Sequence, residues 1–187
     1  LNVGPCVIAS ESSGAAVALL AIERAPDRFV GQVLVGASWE RVKTGAYDNF
    51  FVSLRSDYTA TLRSFIDNCL PETNSAELRH WGLQTMTRSS VADAIDLIKS
   101  REHIAPTSET LLHKLPALLI HGDQDRIVPV QSSRLLAARL PNAKLHVLPG
   151  LGHVPIVTAP AEVAALIASF GNQILTEHLP QPERRLV

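Results

Sequence analysis

Pro5-Cys6-Val7-Ile8-Ala9 runs into Ser10-Glu11-Ser12-Ser13-Gly14, and Ala15 to Arg24 follows before Pro26. The first five residues form a short continuous apolar run, as expected of a strand covered on both faces. The serine-rich stretch breaks that run. The Ala/Leu-rich stretch after it favours helix and stops ahead of the proline. From Phe29 to Val35 the sequence returns to strand character, closed by Gly36-Ala37-Ser38. Strand, tight turn, helix and strand make a βαβ unit, so the spacing predicts an α/β protein with a parallel sheet.

Outward from this unit the chain changes character between residues 39 and 108. Phe, Val, Leu and Ile recur at helical spacing over Tyr47–Arg55 and Tyr58–Leu70, and Pro71 ends the second run. Asn74 with Glu77 reads as a capping box for a helix reaching Thr87, and Ser90 with Asp93 opens another over Val91–Ser100. Four helices without an intervening strand predict an inserted helical module. Alternation then resumes. Ala117–Ile120 reads as a strand ended by His121-Gly122-Asp123, Ser132–Leu140 as a helix, Lys144–Leu148 as a strand, and Ala161–Ile174 as a last amphipathic helix. The expected division is 1–38 and 109–178 for the sheet core, 39–108 for the helical module, and 179–187 for a loose tail.

The 187 residues are 46% hydrophobic and 19% charged, enough to bury a core, which excludes a disordered tail or a disulfide-stapled miniprotein. A net charge of -1 offers no basic field, so neither nucleic acid nor an anionic membrane surface is an expected partner. The longest apolar run, Ala15 to Ile22, has eight residues, far short of the roughly 18–20 that a membrane span needs. Cys6 and Cys69 show no ligand spacing and are expected to be buried free thiols, which fits a reducing compartment. With no signal-peptide pattern at its start, the chain is expected to be cytoplasmic.

Three positions carry chemistry. Ser12 stands at the apex of the strand-to-helix turn. Ser10 and Gly14 keep that turn small, and the start of the helix puts the Ser13 N–H where an oxyanion would form. By itself, a serine-rich turn before a helix is also an ordinary cap. Asp125, in His121-Gly122-Asp123-Gln124-Asp125-Arg126-Ile127-Val128-Pro129, lies at the C-terminal end of a strand, the edge where open α/β sheets place their sites. Asp123 is its competitor, but it sits closer to the strand and is expected to brace the turn. His153 follows a strand in Leu148-Pro149-Gly150-Leu151-Gly152-His153, where the glycines let the imidazole reach inward. The other histidines, at 80, 103, 113, 121, 146 and 178, are read as surface positions, or for His146 a strand face. His121-x-Asp123-x-Asp125 lacks a completed coordination sphere, so no metal is expected. No glycine loop for a dinucleotide is present, so no cofactor is expected either.

The order Ser12, Asp125, His153, each at the end of a sheet element, resembles the α/β-hydrolase superfamily, and the similarity extends over nearly the whole chain. The resemblance implies the C-terminal part of an α/β-hydrolase fold with an inserted helical cap. In that reading Ser12 is the nucleophile, Asp125 the triad acid, His153 the base and the Ser13 N–H an oxyanion donor. The implied activity is a serine hydrolase forming an acyl-enzyme on a small, largely apolar ester-like substrate. A serine rather than an aspartate at the elbow argues against dehalogenase or epoxide hydrolase chemistry. The expected pocket residues are Glu11, Phe50, Phe51, Trp81, Val128 and Val154, with Glu11 standing where relatives often carry histidine.

Members of the superfamily place several strands and an oxyanion loop ahead of the elbow strand. The resemblance therefore implies that roughly 80–100 residues of the family's domain are absent here, and the chain's start at Leu1, with Met86 the one methionine, points to a cropped piece of a longer enzyme. The missing half of the domain is then a possible partner. An alternative reading is a truncated, inactive relative that binds a ligand or another protein.

Overall fold

Val33, Leu34 and Val35 of one strand and Leu118, Leu119 and Ile120 of the next are almost wholly buried, and they form the centre of a four-stranded sheet. The structure, a computed structural model, describes residues 4–37, 43, 45–100 and 114–178. Ser38, the module boundaries near 39 and 108, His103, His113, the His178 side chain and the 179–187 tail lie outside the described residues.

Strands β1 (Cys6–Glu11), β2 (Phe29–Val35), β3 (Ala117–Gly122) and β4 (Ala143–Leu148) lie in that spatial order, all parallel. Ala9 pairs with Val33, and Val33 with Leu118, so the three chain segments meet in register. β1 and β3 each run two residues past their apolar stretch, because pairing of Ser10 with Leu34 and of His121 with Val147 keeps the ladder going. Ser12 therefore leaves directly from a strand end.

Helices fill both faces of the sheet. On one, α1 (Gly14–Arg24) and α6 (Val130–Arg139) pack Ala15, Leu19, Ile22 and Leu136 against Leu34, Ala117 and Leu119. On the other, α8 (Pro160–His178) packs Val163, Phe170 and Ile174 against Val30, Val33 and Ile120. A Cβ at Gly31 would lie 3.3 Å from both Phe170 and Ile174, so this helix packs against bare backbone there. A one-turn helix, α7 (Pro155–Thr158), precedes it.

Between β2 and β3 come α2 (Asp48–Ser56), α3 (Tyr58–Cys69), α4 (Ala76–Met86) and α5 (Val91–Ser100), without an intervening strand among the described residues. Phe51, Leu54, Leu62 and Ile95 give them an apolar centre separate from the sheet. Ser90 and Asp93 cap α5 reciprocally, the Ser90 hydroxyl accepting from the Asp93 N–H at 3.1 Å and the Asp93 carboxylate from the Ser90 N–H at 3.4 Å. The expected box at Asn74 does not form. α4 begins after Ser75, whose buried hydroxyl turns back to donate to the Leu70 and Glu72 carbonyls. Both cysteines are free, Cys69 buried and Cys6 half-exposed at the edge strand rather than buried.

Candidate active site

Ser12 is the one non-glycine residue with positive φ among the described residues, at +47°. Its N–H continues the sheet ladder to the Val35 carbonyl at 2.8 Å, and its own carbonyl accepts from the Ala15 N–H as α1 starts. The backbone thus turns sharply from strand to helix and lifts the hydroxyl off the sheet edge, at a cost of about 1–2 kcal/mol for the left-handed conformation. Small residues give the turn room, although a Cβ at Gly14 would meet Ser10 at an ordinary 3.7 Å, so bulk at Gly14 is not sterically forbidden.

The Ser12 hydroxyl lies 2.8 Å from His153 Nε2, and His153 Nδ1 lies 2.8 Å from Asp125 Oδ2. A carboxylate accepts and does not donate, so the His153 proton sits on Nδ1 and leaves Nε2 free to accept from the serine. Asp125 has no exposed side-chain surface and His153 very little. Both Asp125 oxygens are fully used. Oδ1 accepts the Ile127 and Val128 N–H groups at 2.8 Å each, while Oδ2 accepts from His153 and, at 3.0 Å, from His121 Nε2. Burial alone would raise this carboxyl. The hydrogen bonds from His121 and His153, together with the Val128 N–H, outweigh burial and hold it well below the usual carboxylate range.

His121 corrects the surface reading. It is fully buried, with Nδ1 2.7 Å from the Ser133 hydroxyl and Nε2 2.8 Å from the Val128 carbonyl. Its strand position at the end of β3, four residues before Asp125, was the available signal; which neighbours it would meet on α6 was not. Asp123 braces the turn, taking the Gly150 N–H at 2.7 Å.

The His153 loop is pinned from the helical side. The His153 N–H donates to the Cys69 carbonyl at 2.9 Å, and the Gly152 N–H to Glu72 Oε1 at 2.7 Å. Arg79 in turn donates to the Leu70 and Glu72 carbonyls. Glu72 and Gly152 are 80 positions apart, and no sequence pattern joins them. A Cβ on Gly152 would run into Pro71 and the Cys69 carbonyl, so only glycine permits this approach.

A cavity of about 340 Å³ is walled by α3, α4 and α7, with Glu11 at the strand end and Val154 next to His153 among its lining residues. Glu11, Trp81 and Val154 line it, together with Phe65, Leu78 and Met86. Phe51 and Phe50 do not. Phe51 is buried inside the helical cluster, and Phe50 packs against that cluster with its ring 5.9 Å from Phe65. Val128 is not in the wall either; its backbone N–H donates to Asp125 and its carbonyl lies 2.8 Å from His121 Nε2. Among the described residues no group of three or more His, Cys, Asp or Glu is placed to hold a metal ion, and no helix is long and apolar enough to cross a membrane.

A family model described as the alpha/beta hydrolase family matches residues 2–166. The chain belongs to the alpha/beta hydrolase family. Within the family it is 26% identical over 166 residues to a pimeloyl-[acyl-carrier protein] methyl ester esterase of Yersinia enterocolitica, covering 79% of this chain and 62% of that protein. A shorter stretch of 69 residues, 36% of this chain and 24% of the other, is 42% identical to a poly(3-hydroxyalkanoate) depolymerase of Ectopseudomonas oleovorans. A thermophilic esterase from Thermogutta terrifontis has the same fold, with a TM-score of 0.80 at 20% identity over 91% of this chain and 66% of that one. The chain thus spans less than two thirds of the length of these alpha/beta hydrolase relatives.

Proposed function

We propose that this alpha/beta hydrolase acts as a serine hydrolase through an acyl-enzyme, on a small and largely apolar ester. The observation that carries the reading is the continuous relay from Ser12 through His153 to Asp125, with Ser12 held in a strained turn. His153 Nε2 takes the serine proton as Oγ attacks the carbonyl carbon, then passes it to the leaving alcohol. Asp125 fixes the tautomer and stabilises the imidazolium. Water, activated by the same imidazole, releases the acid and regenerates Ser12. The Ser13 N–H stands at the start of α1, where helix geometry leaves N–H groups without intrahelical acceptors, and it is the proposed oxyanion donor. Ester cleavage is favoured because the Yersinia relative is named for a methyl ester and the Ectopseudomonas relative for a poly(3-hydroxyalkanoate). The helices α3 and α4 serve as the roof of the site. Among the described residues β1 lies at the edge of the sheet.

A fluorophosphonate probe tests the reading. Adduct mapped by mass spectrometry is expected on Ser12, and it should vanish in His153→Ala. Adduct on another residue, no adduct, or labelling indifferent to His153 would sink the assignment.

The junction beneath the roof yields a second expected result. Gly152→Ala forces the His153 loop away from Pro71 and the Cys69 carbonyl. Stability should fall by about 1–3 kcal/mol in urea unfolding. Ester turnover should fall about 10²-fold, since a displacement of about 1 Å is enough to misalign the base.

A further inference from the structure

Gly152 and His153 are both buried, and a buried N–H must find an acceptor. Neither finds it in the sheet. The Gly152 N–H donates to Glu72 Oε1 at 2.7 Å and the His153 N–H to the Cys69 carbonyl at 2.9 Å, at the end of α3 and the link that follows it. On the sheet side the same loop is held by a carbonyl, that of Leu151, which takes the Gln124 N–H at 2.9 Å. The loop carrying the base is therefore gripped between the sheet and the helical module. Of the two grips from the module, Glu72 is the one made by a side chain.

Glu72 is itself fixed at its backbone. Its carbonyl accepts from the Ser75 hydroxyl and, at 3.0 Å, from Arg79 Nη2, which ties it to the start of α4. Its second carboxylate oxygen, Oε2, is buried without a hydrogen-bond partner among the described residues. Gly152 has to be glycine to pass Pro71 and the Cys69 carbonyl, and glycine leaves its own two dihedrals soft. A tether at this residue restores the stiffness that the close approach gives up.

We propose that Glu72 is a positioning residue for the base, acting through Gly152 to hold His153 Nε2 on Ser12. The role rests on the hydrolase reading and adds that base alignment depends on the helical module, through hydrogen-bond reach rather than charge. Three substitutions separate reach from charge. Glu72→Gln keeps an acceptor at the same reach, and its NH₂ takes the place of Oε2, where no bond is lost. Glu72→Asp keeps the charge but falls one methylene short of Gly152. Glu72→Ala removes both.

The rate of fluorophosphonate labelling at Ser12 is expected to fall about 10²-fold in Glu72→Asp and Glu72→Ala, the effect of a displacement of about 1 Å. It should stay close to native in Glu72→Gln. Ile95→Val, which loosens the centre of the helical module away from this loop, should lower the urea midpoint yet label at the native rate. Far-UV circular dichroism checks that each variant is folded. The His153 Nδ1 proton, bonded to Asp125, reads alignment without any reaction as a downfield proton NMR signal, assigned by its loss in His153→Ala. It should persist in Glu72→Gln and vanish in Glu72→Asp and Glu72→Ala. Native labelling in Glu72→Asp or Glu72→Ala, equal losses in Glu72→Gln and Glu72→Ala, or as large a loss in Ile95→Val would overturn the role. If Ser12 of the native protein does not label, the hydrolase reading falls and the Nδ1 signal alone judges the tether. A signal absent from the native protein, or persisting in Glu72→Ala, then overturns it.

Discussion

Ser12→Ala is expected to lower turnover of a small ester by about 10⁶-fold, because residues that act as one relay lose nearly everything when the nucleophile goes. What remains should be a rate still about 10³–10⁴ above water, from binding and the oxyanion donor. Stability should move the other way when the same position is made glycine. Ser12 sits at φ +47° with a Cβ that this conformation does not favour. Ser12→Gly removes the Cβ and should raise the urea midpoint, equivalent to about 1 kcal/mol. A turn that is strained for its chemistry gains stability as it loses activity. If Ser12→Gly is instead destabilised, the strain is not there, and the serine is an ordinary turn residue.

The parts of this molecule legible in the sequence are those that local chemistry decides. β2 begins and ends as read from Phe29 to Val35, where Phe29, Val30, Val33, Leu34 and Val35 favour strand around Gly31 and Gln32 and Gly36 closes the run. α5 starts at its Ser90–Asp93 box because both halves of the cap lie three residues apart. Ser12, Asp125 and His153 were nameable because each follows a strand, and a parallel sheet brings its C-terminal strand ends together whatever the intervening length. The structure accordingly places them within hydrogen-bond reach across 141 positions.

What sequence could not give is set by which surfaces meet. Phe51 and Trp81 are both aromatic residues at helical spacing, yet one is sealed among α2, α3 and α5 while the other lines the cavity. Helical period identifies a face and does not say what covers it. His121 looked like a loop histidine because its apolar strand ends just before it. The ladder to β4 carries the strand through it and turns it in toward Ser133 and Asp125. Asn74 and Glu77 matched a capping pattern, but the Leu70 and Glu72 carbonyls claimed Ser75 and moved the helix start.

The second large effect is expected at Asp125, and it follows from the four N–H donors converging on one carboxylate. Asparagine fits the same space but cannot satisfy them. With its NH₂ toward His153 it presents a donor to Nδ1, so the imidazole proton moves to Nε2 and can no longer accept from Ser12. With its NH₂ toward Ile127 and Val128 it sets donors against donors in a site closed to water. Asp125→Asn should therefore lower turnover by about 10⁴-fold and cost about 1–3 kcal/mol of stability. The sign with pH is fixed by the direction of the shift. Asp125 is held below its unfolded value, so its contribution is fully present above the unfolded carboxylate range, near pH 4, and is lost as pH falls toward the folded value. The gap in urea midpoint between the native protein and Asp125→Asn should be widest at neutral pH and narrow below about pH 4. A gap that stays constant down to pH 2 would mean the carboxylate's charge contributes nothing, and that the four donors are met by shape alone.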